Sequence, residues 1–204
     1  LYNLSSLGLT NKIENMKKGF LIDMDGVIYG NDTLIPGADK IIAQLQKKKI
    51  PFLFMTNNSQ RTPLDTVNKV AKMGIKIKEE NVYTSAMATA SFLSFMQPKG
   101  SAYVLGEGGL ITSLANEGYN LVNHNPDFVV VGEGRNFTLE MVNSAVDMIL
   151  SGSKFIATNI DPSPKKTGWT NLGIKAVVKM IEEASGKKAF SVGKPSPVMM
   201  RAAK

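Results

Sequence analysis

Short apolar segments alternate with longer segments of helical spacing along most of the chain. The segment GADKIIAQLQKK has apolar residues at helical intervals, and Thr62 and Pro63 open a second helix that Gly74 closes. Four more segments predict helices: SAMATASFLSFM, GLITSLANEG, TLEMVNSAVDMIL and NLGIKAVVKMIEEASG. The apolar runs between them predict strands in FLID, IPFLFMT, AYVLG, DFVVVG, KFIAT and AFSVG. This alternation predicts an α/β fold with a mainly parallel sheet, and we expect the first strand, from Gly19 to Ile22, to be buried.

Composition narrows the class of protein. The 204 residues are 43% apolar and 20% charged, which is typical of a globular chain that can bury a sizeable core. The chain has no cysteine, so it forms neither disulfides nor thiolate metal sites. No apolar run approaches the ~18 residues that span a bilayer, and the N-terminus lacks the features of a signal peptide. We therefore expect a cytoplasmic protein that does not enter a membrane.

The formal net charge of +7 raises the question of an anionic partner. The lysines are spread through QKKKIP, PSPKKTG and SGKKAF, without an arginine cluster or alternating lysines and aromatic residues. This pattern predicts no nucleic-acid surface. It leaves two interpretations open, solvated lysines or attraction of an anionic substrate.

Polar residues follow three of the predicted strands. Asp23 and Asp25 end the first, the sequence TNNS (56–59) follows the second, and GKPSP (193–197) follows the last. Ligands of open α/β sheets bind outside the carboxyl ends of the strands. The sequence therefore predicts that two carboxylates, a hydroxyl and a lysine meet at one edge.

These residue types suit the transfer of a phosphoryl group. Asp23 and Asp25 point the same way on an extended chain, and two close carboxylates with oxygen ligands favour Mg²⁺. One could attack phosphorus to form an aspartyl phosphate, and the other could protonate the leaving oxygen and then activate water. Thr56 offers a hydroxyl, Asn57 a backbone amide and Lys194 a positive charge to the phosphoryl oxygens. A simple turn at Asp25-Gly26 is the alternative interpretation.

The order DMDGVIY, FMTNNS and VGKPSP resembles the first three motifs of the haloacid-dehalogenase superfamily. With the intervening VYTSAMATASFL, AYVLGEGGL, NPDFVVVG and KFIATNID, the chain is similar to the NagD-like subfamily with a type-2A cap from about residue 17 to residue 204. The resemblance implies a Rossmann-like parallel-sheet core with an inserted α/β cap domain. It also implies a Mg²⁺-dependent phosphatase of small phosphomonoesters.

The resemblance implies a role for each motif residue. Asp23 matches the nucleophile and a magnesium ligand, and Asp25 matches the acid/base, with its backbone carbonyl on the metal. Thr56 and Asn57 match the phosphate-binding pair, and Lys194 matches the lysine that steadies nucleophile and phosphate.

Two further segments match parts of the family that control access to the site. The loop from 27 to 36 matches the flap beside the nucleophile. The cap segment ATNID makes Asn159 and Asp161 candidate specificity residues.

The same resemblance divides the chain. We expect an N-terminal extension at 1–16, the first part of the core at 17–84, the cap at 85–185 and the second part of the core at 186–204. That last part is expected to be incomplete, since the family's fourth, acidic motif does not follow Lys194. The alternative to a phosphatase is therefore a catalytically incomplete fragment that at most binds phosphate.

Other features carry weaker interpretations. LGEGGL lacks the third glycine of a dinucleotide loop, so turn glycines are expected there. His124 is predicted to lie in a loop, and Trp169 to pack in the cap or line the pocket. A homo-oligomer is a form that the sequence leaves open.

Overall fold

The computed structural model describes residues 19–30, 32–162 and 172–202. The predicted extension at 1–16 and Trp169 lie outside these residues. The strands are β1 (Phe20–Asp23), β2 (Tyr29–Gly30), β3 (Thr33–Leu34), β4 (Phe52–Thr56), β5 (Val82–Thr84), β6 (Ser101–Leu105), β7 (Asn120–Leu121), β8 (Phe128–Val131), β9 (Lys154–Ala157) and β10 (Phe190–Ser191). The helices are α1 (Ala38–Lys47), α2 (Pro63–Ala71), α3 (Ser85–Met96), α4 (Gly108–Asn116), α5 (Leu139–Leu150), α6 (Ile174–Ser185) and α7 (Pro197–Ala202), with a 3₁₀ turn at Glu79–Asn81.

The first sheet carries the first two predicted motifs at its carboxyl edge. Its parallel strands lie in the order β1-β4-β5, with Asp23 opposite Met55 and Thr56 opposite Thr84. Its core is apolar and includes Ile42 and Val70 from the amphipathic faces of α1 and α2. The predicted start of helix α2 at Thr62 is confirmed. The Thr62 side chain accepts a hydrogen bond from the Asp65 amide, and the Asp65 side chain accepts one from the Thr62 amide, so Thr62 is the N-terminal cap of this helix.

The expected burial of the first strand is wrong. Phe20 and Leu21 are 53% and 43% exposed, although they form a strand in a parallel sheet as predicted. The physical reason is position: β1 is an edge strand that pairs only with β4 among the described residues. An apolar run predicts a strand without showing how many neighbours cover it.

The second sheet has five parallel strands in the order β10-β9-β8-β6-β7. Every residue of β8 is buried, because side chains alternate between two covered faces. Val129 and Val131 pack in a cluster with residues of α5 and α6, whereas Val130 packs in a cluster with residues of α3 and α4. This arrangement explains why FVVV is an unbroken apolar run.

The second sheet extends beyond the predicted cap boundary. Phe190–Ser191 was expected in the second core part, 186–204, but this strand pairs with β9. Its place at the end of the second sheet brings Gly193 and Lys194 to that sheet's carboxyl edge. The division into core and cap remains a proposal, with this strand on the cap side.

Across the described residues, no helix is both long and apolar enough to cross a membrane. The cytoplasmic location stays a prediction.

Candidate active site

The carboxyl edges of the two sheets face each other across one loop. This loop, residues 56–61, follows β4 and is contacted by the segments that follow β6, β8, β9 and β10. The predicted site residues lie in or beside it. Each sheet collects its strand ends at one edge because its strands are parallel. The sequence predicted a single edge for all these residues, and this is wrong: Lys194 follows a strand of the second sheet and meets the others across the loop.

Asp23 and Lys194 form the centre of the site although 171 positions separate them. Lys194 Nζ lies 2.5 Å from Asp23 Oδ1 and 3.1 Å from the Met55 carbonyl oxygen. The Met24 amide also donates to Asp23 Oδ1, at 2.7 Å. One carboxylate oxygen is therefore anchored by two donors, while the side chain as a whole is 48% exposed. This leaves Asp23 Oδ2 as the oxygen to face a reactant.

A tight turn after β1 places Asp25. The Met24 carbonyl accepts from the amides of three following residues, and Gly26 donates to the Tyr29 carbonyl at 2.8 Å. Gly26 has φ of +82°, a left-handed conformation that favours glycine. Thr56 Oγ1 donates to Asp25 Oδ2 at 3.3 Å, so the two sheet-edge motifs are in contact. The turn interpretation of Asp25-Gly26 is thus correct as local structure, and the turn lies within the site.

Asn57 joins three segments through its side chain. Its Nδ2 donates to Asp161 Oδ2 at 2.8 Å and to the Lys194 carbonyl at 3.0 Å, and its Oδ1 accepts from the Lys194 amide at 2.8 Å. Asn159 Nδ2 donates to the Asn57 carbonyl at 2.7 Å, and the Asp161 amide donates to Asn159 Oδ1. The side chain of Asn57 therefore holds the backbone of Lys194 and the side chain of Asp161 in place, whereas its backbone amide remains the proposed phosphate donor.

The candidate specificity residues differ in exposure. Asn159 is fully buried and engaged within the protein, so its geometry favours support of the loop. Asp161 is exposed and bonded to Asn57, which places a carboxylate at the rim of the site. A role for either residue in substrate choice stays a prediction.

Glycine permits the close contact between Lys194 and the rest of the site. A Cβ on Gly193 would lie 2.5 Å from the Thr158 carbonyl oxygen and 2.7 Å from Asn57 Oδ1. Such distances do not occur in ordinary packing, so a larger residue would displace the chain just before Lys194. Steric crowding therefore explains why the first residue of GKP, Gly193, is a glycine.

Sequence reasoning missed Glu133. Its side chain accepts from the Ser59 amide at 3.1 Å, and its own amide donates to Ser59 Oγ at 2.8 Å. The pKa of the Glu133 carboxyl is raised to about 7, chiefly by burial. The hydrogen bond from the Ser59 amide acts to lower this pKa, whereas the negative charges of Asp25 and Asp161 act to raise it. A signal was available: Glu133 follows β8 in VGEGR, and strand ends were the rule that found the other residues.

A basic group lies beside the turn. Lys69 Nζ lies 3.9 Å from the ring centroid of Tyr29 and 3.4 Å from Asp32. Burial lowers the pKa of Lys69, and burial followed by the charge of Asp25 raises the pKa of the Tyr29 hydroxyl. Tyr29 thus stays protonated and packs the turn that carries Asp25.

The structure brings together Asp23, Asp25, Thr56, Asn57 and Lys194, as the motif order predicted. The structure also describes two features that had weaker interpretations, the LGEGGL segment and His124. LGEGGL leads into α4, where Gly109 donates to the Gln60 carbonyl at 2.8 Å, and His124 lies in an exposed loop.

The chain is similar in sequence and in structure to known phosphatases. The model of the haloacid dehalogenase-like hydrolases matches residues 20–120. Dihydroxyacetone phosphatase of Corynebacterium glutamicum (strain R) is 42% identical over 188 residues, 90% of this chain and 67% of that protein.

Two further proteins are similar in sequence and structure. Ribonucleotide monophosphatase NagD of Escherichia coli (strain K12) is 39% identical over 186 residues, and its structure superposes with a TM-score of 0.85 over 91% of this chain and 73% of that one. The glycerol phosphate phosphatase of Mycobacterium tuberculosis, solved in complex with magnesium, is 26% identical with a TM-score of 0.85 over 92% of this chain and 57% of that one. Fold, site and comparisons agree on the class: the chain belongs to the haloacid dehalogenase-like hydrolases and to their NagD-like members. These relatives are named as phosphatases, so the chain is an enzyme by family.

Proposed function

We propose that the protein is a Mg²⁺-dependent phosphatase of small phosphomonoesters that acts through an aspartyl phosphate. The observation that carries this proposal is the contact of Lys194 with Asp23, beside Asp25 and Thr56. A carboxylate with one anchored oxygen, a neighbouring carboxyl group and a fixed cation supply a nucleophile, a proton donor and a positive charge for phosphoryl transfer to an aspartate.

The donor set fits magnesium. The Asp23 carboxylate and the Asp25 backbone carbonyl would supply the oxygen ligands that Mg²⁺ prefers. The described part of the chain holds no group of three or more His, Cys, Asp or Glu side chains that could bind a metal. Mg²⁺ commonly keeps several waters and takes substrate phosphate oxygens, so two protein ligands are compatible with it. When bound, the ion neutralises charge on the phosphoryl oxygens.

In the first step, Asp23 Oδ2 attacks phosphorus and the bond from phosphorus to the ester oxygen breaks. Asp25 donates a proton to that leaving oxygen, which departs as an alcohol. Lys194, the Thr56 hydroxyl and the Asn57 amide hold the three equatorial oxygens as charge spreads over them.

In the second step, Asp25 is a carboxylate and takes a proton from water. The water oxygen attacks phosphorus, the bond to Asp23 breaks, and inorganic phosphate leaves. Asp23 is restored as a carboxylate and Asp25 as an acid.

The substrate is proposed to be a small, polar phosphomonoester such as a sugar phosphate, a nucleoside monophosphate or phosphoglycolate. Relatives carry the names dihydroxyacetone phosphatase, ribonucleotide monophosphatase and acid sugar phosphatase. The second sheet, as the proposed cap, would select among them, with Asp161 at the rim of the site.

The test is Mg²⁺-dependent release of phosphate, first from p-nitrophenyl phosphate and then from a panel of these three substrate classes. We expect turnover that chelation of Mg²⁺ abolishes. Lys194→Met should lose it, whereas Lys40→Met, on the exposed face of α1, should retain it. Binding of phosphate without turnover of any ester would instead support the alternative of a catalytically incomplete chain.

A further inference from the structure

Glu133 and Ser59 bind each other reciprocally. The Ser59 amide donates to Glu133 Oε2, and the Glu133 amide donates to Ser59 Oγ. Thr158 Oγ1 also donates to Ser59 Oγ, at 3.1 Å. Ser59 belongs to the loop after β4, whereas Glu133 and Thr158 follow β8 and β9. This small network therefore joins the two sheets at Ser59, two positions after the proposed phosphate-binding residue Asn57.

The contact leaves little room for rearrangement. Ser59 and Thr158 are fully buried. A Cβ on Gly132, the residue before Glu133, would lie 3.1 Å from Ser59 Oγ and 2.7 Å from a methyl carbon of Leu110. Without the Glu133 side chain, the buried Ser59 amide would lose its acceptor, and the loop would have to move to satisfy it.

The loop that this network holds is short. The Asn58 amide donates to Thr56 Oγ1 at 3.0 Å, so the positions of Ser59, Asn58 and Thr56 are linked. The same Thr56 hydroxyl contacts Asp25. A shift at Ser59 therefore reaches the phosphate donors through one intervening residue.

We propose that Glu133 is a positioning residue that holds the 56–59 loop in its phosphate-binding form by accepting from the Ser59 amide. The inference rests on the proposed phosphatase function, since it assigns the loop to phosphate. Glu133 acts through Ser59 and does not touch the reacting atoms.

The protonation of Glu133 gives this role a pH dependence. Asp25 from the first sheet and Asp161 from the second place negative charge near it, and Asn159 hydrogen-bonds to it. Burial, the largest cause, raises the carboxyl pKa to about 7. Below that pH a neutral carboxyl holds the loop. Above it, ionised Glu133 adds a negative charge close to the site and weakens the binding of an anion.

The experiment compares wild type, Glu133→Leu, Glu133→Gln and the matched control Glu183→Leu, which changes an exposed glutamate of α6. The probe is sulfate in the presence of Mg²⁺, because its charge is constant across the pH range. Affinity for sulfate is measured from pH 5.5 to pH 8.5, a range of about 1.5 units on either side of the Glu133 pKa of about 7. Turnover of p-nitrophenyl phosphate and thermal unfolding are measured in parallel.

Glu133→Leu should weaken sulfate binding and raise KM by roughly 5- to 100-fold, the range expected when a buried amide loses its acceptor. Glu133→Gln should recover most of the affinity, since its amide oxygen can accept from Ser59. Wild-type affinity should fall as the pH rises through about 7, and this fall should be absent in Glu133→Gln. Glu183→Leu should behave as wild type.

The inference would be overturned if Glu133→Leu bound sulfate as tightly as wild type does, or if the affinity of Glu133→Gln still fell around pH 7. In either case, turnover by the wild-type protein would leave the proposed function standing. If Glu133→Leu fails to fold, the pH profile of Glu133→Gln decides alone. A wild type that neither binds sulfate nor releases phosphate would overturn the proposed function and the inference with it.

Discussion

Replacing Gly193 with alanine tests whether close packing positions Lys194. The added Cβ would lie 2.5 Å from the Thr158 carbonyl oxygen, against the roughly 3.4 Å of ordinary contact, so backbone must move by about 0.9 Å. Both nearest neighbours, Thr158 and Asn57, are themselves held by hydrogen bonds. We therefore expect the strain to displace the segment that carries Lys194.

The expected losses follow from that displacement. A misplacement of about 1 Å at a catalytic group can cost about 10²-fold in rate, so kcat/KM should fall by about that factor. Overpacking of this kind costs about 1–3 kcal/mol, which for a chain of this size lowers Tm by roughly 2–12 °C. Turnover of p-nitrophenyl phosphate and calorimetric unfolding measure the two effects.

The matched control is Gly108→Ala at the start of α4. A Cβ on Gly108 meets no atom within 4 Å, and alanine favours a helix. This variant should keep wild-type activity and Tm. If Gly193→Ala retained kcat/KM within a few fold and an unchanged Tm, the steric account of the GKP glycine would be wrong.

Three other variants test separate parts of the account. Asp25→Asn should slow steady-state release of phosphate by about 10²–10⁴-fold, because the acid/base is lost; a near-normal rate would refute that role. Relative to Glu133→Gln, wild-type stability should fall between about pH 4.5 and about pH 7, because the folded chain keeps a proton that the unfolded chain releases; parallel stability curves would contradict this. Glu182→Gln should lower the free energy of unfolding by about 1 kcal/mol at neutral pH, since Glu182 accepts from Lys179 and Lys188 and its pKa is lowered chiefly by Lys179. That difference should vanish in urea titrations once the pH falls below the folded-state pKa, and a pH-independent difference would exclude the ion pairs as its cause.

The sequence predicted α1 to α6 from their helical segments, and β1, β4, β6, β8, β9 and β10 from the short apolar runs between them. The N-terminal cap of helix α2 lies where the sequence predicted it, and the unbroken apolar run of β8 forms a strand that is covered on both faces. The two-residue strands β2, β3, β7 and the short β5 were not predicted, since runs of two or three residues show no period. Burial of β1 was mispredicted because the number of neighbouring strands is a property of topology.

The positions of strand ends and the order of the motifs were enough to predict which residues of the site lie close together. That rule predicted that Asp23, Asp25, Thr56 and Lys194 would meet, and the structure brings them together. They come from the facing edges of two sheets, however, and not from the one edge that the sequence predicted. It did not predict that the Asn57 side chain would brace Lys194, because that contact depends on how the two sheets meet. Glu133 was missed for the same reason, although its position after β8 fits the rule.

The central claim is that Asp23 becomes phosphorylated. Asp25→Asn should still form the aspartyl phosphate from p-nitrophenyl phosphate, whose leaving group needs little protonation, but should hydrolyse it slowly. Acid quenching within the first turnover, followed by peptide mass spectrometry, should find one phosphoryl group on Asp23 and none in an Asp23→Asn control. Phosphate release by wild type with no phosphoryl group on Asp23, or continued turnover by Asp23→Asn, would contradict the account.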